Sequence, residues 1–72
     1  MIKATAPQYP DVHVTIRSRN RWAVAAAIRQ AMRRAGKDRR EIDRFVTEAL
    51  ETNDPDRLRD VCRRWVDLQI PA

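Results

Sequence analysis

The stretch DVHVTIRS, residues 11–18, alternates apolar and polar side chains. Val12, Val14 and Ile16 fall on one side of this pattern, and all three are β-branched, as is typical of strands. Alternation with a period of two predicts a β-strand that buries one face and exposes the other. A lone strand leaves its backbone hydrogen-bonding groups unpaired, so the fold requires a second strand elsewhere in the chain.

The second strand is predicted at the other end of the chain, in VDLQIPA, residues 66–72. Three apolar residues alternate there with two polar ones before Pro71 ends the pattern. No other segment shows this periodicity, so we expect the first and last strands to pair. A two-stranded ribbon is weak on its own, which predicts that helices cover one of its faces.

Three amphipathic helices are predicted between the strands. The first begins after Asn20 or Ser18 as N-cap and stops at Gly36, which can adopt the left-handed conformation. The second follows Asp38, and a glutamate three residues later has the spacing of a capping box. The third starts at Pro55, where the missing N–H of proline has no cost. The residues expected in the helical core are Val24, Ile28, Ala31, Met32, Ala35, Ile42, Phe45, Val46, Ala49, Leu50, Leu58, Val61, Cys62 and Trp65.

These elements predict one small α+β domain of the order β-α-α-α-β over residues 11–72, with three helices on a two-stranded ribbon. Residues 1–10 are expected to form a flexible N-terminal arm. An alternative is a three-helix bundle whose N-terminal strand pairs across a dimer. A chain of 72 residues has a marginal core. The free edge of the ribbon therefore also suggests a homodimer that joins two ribbons into a four-stranded sheet.

The composition argues against an enzyme. The chain has one cysteine and one histidine, and it lacks a cluster with metal-ligand spacing, so we expect no metal site and no cofactor. Gly36 is the only glycine, which excludes a glycine-rich phosphate loop. His13 falls on the outward face of the first strand, and Cys62 falls on the apolar stripe of the third helix. We therefore expect no catalytic residue and no small-molecule substrate.

The cellular location is predicted from what the sequence lacks. It contains no apolar run of signal-peptide length and none that approaches a membrane span. A lone cysteine also fits a reducing compartment. We expect a cytoplasmic protein without a membrane partner.

Charge is divided unevenly along the chain. Residues 13–40 contain nine arginines and lysines against one acid, a net charge of +8, and residues 41–72 contain five arginines against eight acids, a net charge of −3. Such asymmetry indicates a polyanionic or acidic partner for the basic part. The alternatives are that the two halves attract each other within the chain, or that they pair across a dimer.

The first helix is the main candidate for a binding surface. Trp22, Arg29 and Arg33 fall in one row, nearly opposite its apolar stripe. Such a row can lie on a phosphate backbone or dock on an acidic protein, and the alternative for Trp22 is that it folds over the first strand. The acidic second half and the lack of a clear groove-entering element favour a protein partner or self-association over nucleic acid. The candidate binding residues are Arg17, Arg19, Arg21, Trp22, Arg29, Arg33 and Arg34.

Three segments together resemble small bacterial and phage-encoded proteins of unknown function: VHVTIRSRN (12–20), VAAAIRQAMRRAGKDRREIDRFVTEAL (24–50) and RLRDVCRRWVDLQ (57–69). Those proteins share a short strand, a helix ending in Arg-Arg-Ala-Gly, a helix with a central Phe followed by Glu-Ala (here Phe45 with Glu48 and Ala49), and a final Cys-x-x-Trp-Val. The matching positions are mostly core and capping residues. The resemblance therefore implies a fold and a structural pair of Cys62 with Trp65, and it implies no activity.

Overall fold

The computed structural model describes residues 7–70 of the chain. Its elements are β1 (Tyr9–Thr15), α1 (Arg21–Arg34), α2 (Arg39–Glu51), α3 (Pro55–Trp65) and β2 (Val66–Gln69). This order, with the helices packed on a two-stranded sheet, confirms the predicted β-α-α-α-β fold. No helix within these residues is long and apolar enough to cross a membrane.

The two strands pair with each other in parallel. His13 lies opposite Asp67 and Thr15 lies opposite Gln69, and the register is irregular between Tyr9 and His13. Parallel strands need a long crossover connection, which the three helices provide. The strands therefore pair within one chain. The alternative, in which the first strand pairs across a dimer, differs from this arrangement.

The first strand begins two residues earlier than its sequence pattern indicates. The ring centroid of Tyr9 lies 6.2 Å from that of Trp65, and the backbone N–H of Gln8 donates to the carbonyl of Arg64 at 2.8 Å. These contacts with the end of α3 draw the chain before position 11 onto the sheet. The last two residues of the predicted flexible arm thus belong to β1. The first six residues of that arm lie outside the described part of the chain.

Each helix begins with a side-chain cap. Asn20, Asp38 and Asp54 each accept a hydrogen bond from the backbone N–H two residues later, at 2.7–2.9 Å. Such a cap stabilises a helix start by about 1 kcal/mol. Glu41, which the sequence predicts for a capping box, instead lies 3.1 Å from the guanidinium of Arg44.

The core lies between the inner face of the ribbon and the three helices. Phe45 is fully buried at its centre, and its ring meets the ring of Trp65 edge-on with centroids 6.0 Å apart. Ala35, predicted on the core stripe, is exposed because it caps the end of α1, and Ala25 is buried instead. The buried core residues are Val12, Val14, Ile16, Val24, Ala25, Ile28, Met32, Ile42, Phe45, Ala49, Leu58, Val61, Cys62, Trp65 and Val66.

Candidate interaction surface

One side of α1 packs on the core and the opposite side is exposed. Val24, Ala25, Ile28 and Met32 are buried, as their spacing along a helix requires. The residues on the opposite side are all exposed, and we call them the α1 face. They are Trp22, Ala23, Ala26, Ala27, Arg29, Gln30, Arg33 and Arg34.

Trp22 is the largest apolar side chain on the α1 face, and 61% of its surface is exposed. It lies two residues before Val24, which places it about 160° from that buried residue around the helix axis. Because most of its surface is exposed, the indole does not pack on the sheet. The interpretation in which Trp22 folds over the first strand is therefore wrong. The guanidinium carbon of Arg21 lies 6.0 Å from the centroid of its ring, a cation–π distance. The indole remains accessible to a partner.

Three arginines cluster on the C-terminal half of the α1 face. Arg29, Arg33 and Arg34 line one shallow depression together with two uncharged residues. A neighbouring groove between α1 and the start of α2 shares Arg29 and Arg33, adds two further cations, and contains the carboxylate of Asp43. The depression itself holds no carboxylate, so its positive potential is complementary to an acidic group.

Arg21 has a structural role in addition to its contact with Trp22. Its side chain is half-buried, and Nη1 donates to the carbonyl of Thr52 at 3.3 Å and to the side-chain oxygen of Asn53. These bonds hold the start of α1 against the turn between α2 and α3. The sequence does not reveal this role, because the acceptors lie 31 and 32 residues away.

Arg17 and Arg19 lie apart from the α1 face. Both line a cleft at the ends of β1 and β2, where Arg59 of α3 joins them. The candidate binding residues therefore form two groups rather than one surface. Arg59 is not among the residues that the sequence predicts, because its place beside Arg17 and Arg19 depends on the parallel pairing of the strands. No local pattern in the sequence indicates that Arg59 lines this cleft.

The ion pairs leave the basic half largely without partners. Five pairs occur among residues 7–70, and none of them uses an arginine between positions 17 and 34. Three of the five join residues within the acidic half, and Lys37–Asp11 and His13–Asp67 are the other two. Among these five pairs, only His13–Asp67 joins the basic half to the acidic half. The charge of the α1 face stays available to a partner.

Cys62 and His13 are the two residues whose side chains were candidates for chemistry, and one is buried while the other is exposed. Burial raises the pKa of the Cys62 thiol to about 12, so it is protonated at neutral pH and is a poor nucleophile. His13 is exposed, and its Nδ1 lies 2.6 Å from the carboxylate of Asp67 on the neighbouring strand. Within the described part of the chain, no three metal-ligating side chains come together.

Comparisons of the chain with known protein families, with curated proteins and with solved structures find no match. The resemblance to small bacterial and phage-encoded proteins therefore stays a prediction.

Proposed function

We propose that the protein is a small non-catalytic binding module that docks its α1 face on an acidic surface of a partner protein. One observation carries this proposal: Trp22 is exposed on the same side of a helix as three arginines that have no carboxylate partner in residues 7–70. Tryptophan and arginine are the residue types that most often anchor protein interfaces.

The shape of the α1 face also supports a macromolecular partner. Trp22 and Arg33 are separated by about 16 Å along the helix axis, which corresponds to three turns of a helix. The exposed residues between them include Ala23, Ala26 and Ala27. Small side chains at a contact let a second element approach closely. An elongated partner can therefore pack along the alanines and contact the indole and the arginines at either end.

The electrostatics of the face predict how it discriminates between partners. Exposed arginines attract acidic surfaces over about 8 Å at physiological salt, and they repel basic ones. The interaction should therefore weaken as salt is raised. The indole contributes an apolar contact whose strength depends little on salt.

Fluorescence anisotropy of labelled poly-L-glutamate, titrated with the protein, tests the proposal. We expect binding that weakens with salt and that weakens at least about fivefold in the double variant Arg29→Gln/Arg33→Gln. The matched control is Arg57→Gln/Arg63→Gln, which removes the same charge from exposed positions on α3. It should change the affinity less than twofold. Equal losses in the two variants would show attraction by net charge alone and would contradict the proposal.

Nucleic acid is the second candidate, favoured by the absence of any carboxylate in the depression that Arg29, Arg33 and Arg34 line. The same arginines would then contact phosphates. A random-sequence DNA duplex distinguishes the two candidates in the same assay at roughly 50 and 200 mM salt. Duplex binding that is tighter than poly-L-glutamate binding, and lost in Arg29→Gln/Arg33→Gln, supports this candidate. No duplex binding at the lower salt concentration eliminates it.

A further inference from the structure

A cleft of about 250 Å³ opens where β1 and β2 end. It is bounded by the segment that follows β1, by the first turn of α1, by α3 and by the end of β2. Its floor is apolar, because the lining residues Ile16, Val24, Leu58 and Cys62 are all buried core residues. It is a recess among four segments, unlike the shallow depression on the α1 face.

The rim of the cleft is positively charged. Arg17 and Arg19 follow β1 and are exposed, and Arg59 reaches the cleft from α3. The residues that line the cleft include no aspartate or glutamate. Arg59 has its nearest carboxylate, that of Asp56, at 3.9 Å, and that side chain is almost fully exposed. The arginines are therefore available to a bound anion.

The position of the cleft in the fold also suits a ligand. It lies at the carboxyl ends of two parallel strands, the place where open α/β sheets bind their ligands. Val24 in the first turn of α1 and Pro55 at the start of α3 both line it. Both helix starts are capped, by Asn20 and by Asp54, so the three arginines are the source of the positive charge on the rim.

We infer that this cleft binds a small amphipathic carboxylate, with the apolar part on the floor and the carboxylate between the arginines. The guanidinium group matches the geometry of a carboxylate, and a buried apolar floor accepts a hydrocarbon group. The volume lies just below the ~300–1,000 Å³ that drug-sized ligands occupy, so the ligand is short. This assigns a small-molecule ligand where the sequence predicts none. It does not depend on the proposed function, because no residue of the α1 face lines the cleft.

A methyl NMR titration of the protein with hexanoate tests the inference, with hexanol and acetate as matched probes. We expect hexanoate to shift the methyl signals of Ile16, Val24 and Leu68, three residues that line the cleft. Hexanol lacks the charge and acetate lacks the chain, so each should bind at least about tenfold more weakly. Equal affinities for hexanoate and hexanol, or no shift at these methyls up to the solubility limit, would overturn the inference.

Two double variants test which arginines bind the carboxylate. Arg17→Gln/Arg19→Gln should weaken hexanoate binding about tenfold and leave hexanol binding unchanged. Arg29→Gln/Arg33→Gln removes the same charge from the α1 face and should leave both affinities unchanged. Equal weakening by the two variants would show a net-charge effect and would contradict the inference. The methyl spectrum of each variant verifies that the core is intact.

Discussion

Phe45 and Cys62 show what single residues do in a core this small. Both are fully buried, and Phe45 packs edge-on against Trp65, which also contacts Tyr9. A chain of 72 residues has a total stability of about 4–11 kcal/mol. One large buried side chain is therefore a substantial fraction of the whole.

Replacing Phe45 by alanine should destabilise the fold by about 3–5 kcal/mol, because the change removes apolar burial and leaves a cavity. Urea unfolding followed by far-ultraviolet circular dichroism measures the difference. The control is Phe45→Leu, which keeps most of the volume and should cost about 1–1.5 kcal/mol. Similar midpoints for Phe45→Ala and the unchanged protein would show that Phe45 is not the centre of the core.

Cys62 should resist alkylation in the folded protein. A pKa of about 12 instead of 9.0 lowers the thiolate fraction at neutral pH about a thousandfold, and iodoacetamide reacts with the thiolate. We therefore expect modification at least about a thousand times slower than in guanidinium, measured by mass spectrometry. Because the fold favours the neutral thiol, the contribution of Cys62 to stability should be constant below pH 9 and should fall as pH rises toward 12. Rapid alkylation of the folded protein would contradict the burial of this residue.

Local sequence patterns determine most of the helix and strand boundaries, and long-range contacts alter some of them. The alternation over residues 12–16 and the caps at Asn20, Asp38 and Asp54 are local, so the sequence predicts β1 and three helices correctly. The extension of β1 to Tyr9 depends on a contact with α3, 56 positions away in the chain. No periodicity in the sequence can indicate such a contact.

The candidate site was predictable to a smaller extent than the fold. The row of Trp22, Arg29 and Arg33 follows from helix geometry alone, and the structure places all three on the exposed side of α1. The separate grouping of Arg17 with Arg59 follows only from tertiary structure. A sequence shows which side chains are present, but it does not show which distant segments come into contact.

Gly36 ends α1 in the left-handed conformation, with φ of +75°. A Cβ at this position would have no neighbour within 4 Å, so any cost of substitution comes from the backbone and not from crowding. Gly36→Ala should destabilise the protein by about 1–2 kcal/mol, and Gly36→Asn should cost less, because asparagine tolerates this conformation. Thermal unfolding measures both. Equal melting temperatures for the alanine and asparagine variants would contradict the role given to the backbone.

The whole molecule combines a two-stranded sheet with an uneven distribution of charge. Each strand has one partner strand within residues 7–70, so each keeps one edge without a strand beside it. The positive charge is concentrated on α1 and beside the cleft, whereas most ion pairs lie within the acidic half. The strand edges and the α1 face are thus separate features, and they predict separate kinds of association.

Edge pairing predicts a homodimer with a four-stranded sheet at tens of micromolar protein, because unpaired backbone N–H and C=O groups are templates for another strand. Sedimentation equilibrium measures the mass, and a dimer built on strand pairing should persist when salt is raised. A mass of 8.4 kDa at these concentrations, that of one chain, would contradict the homodimer. A monomeric mass would not contradict the proposed docking of the α1 face on a partner.

The α1 face is the surface that we expect to meet an acidic partner. The protein carries two indoles in contrasting places: Trp22 is exposed on this face, and Trp65 is buried in the core. A titration of ¹⁵N-labelled protein with poly-L-glutamate, read at the two indole N–H signals, therefore compares the face with an internal reference. We expect the Trp22 signal to shift and saturate while the Trp65 signal stays in place. Saturable binding that leaves the Trp22 signal unchanged would contradict this expectation.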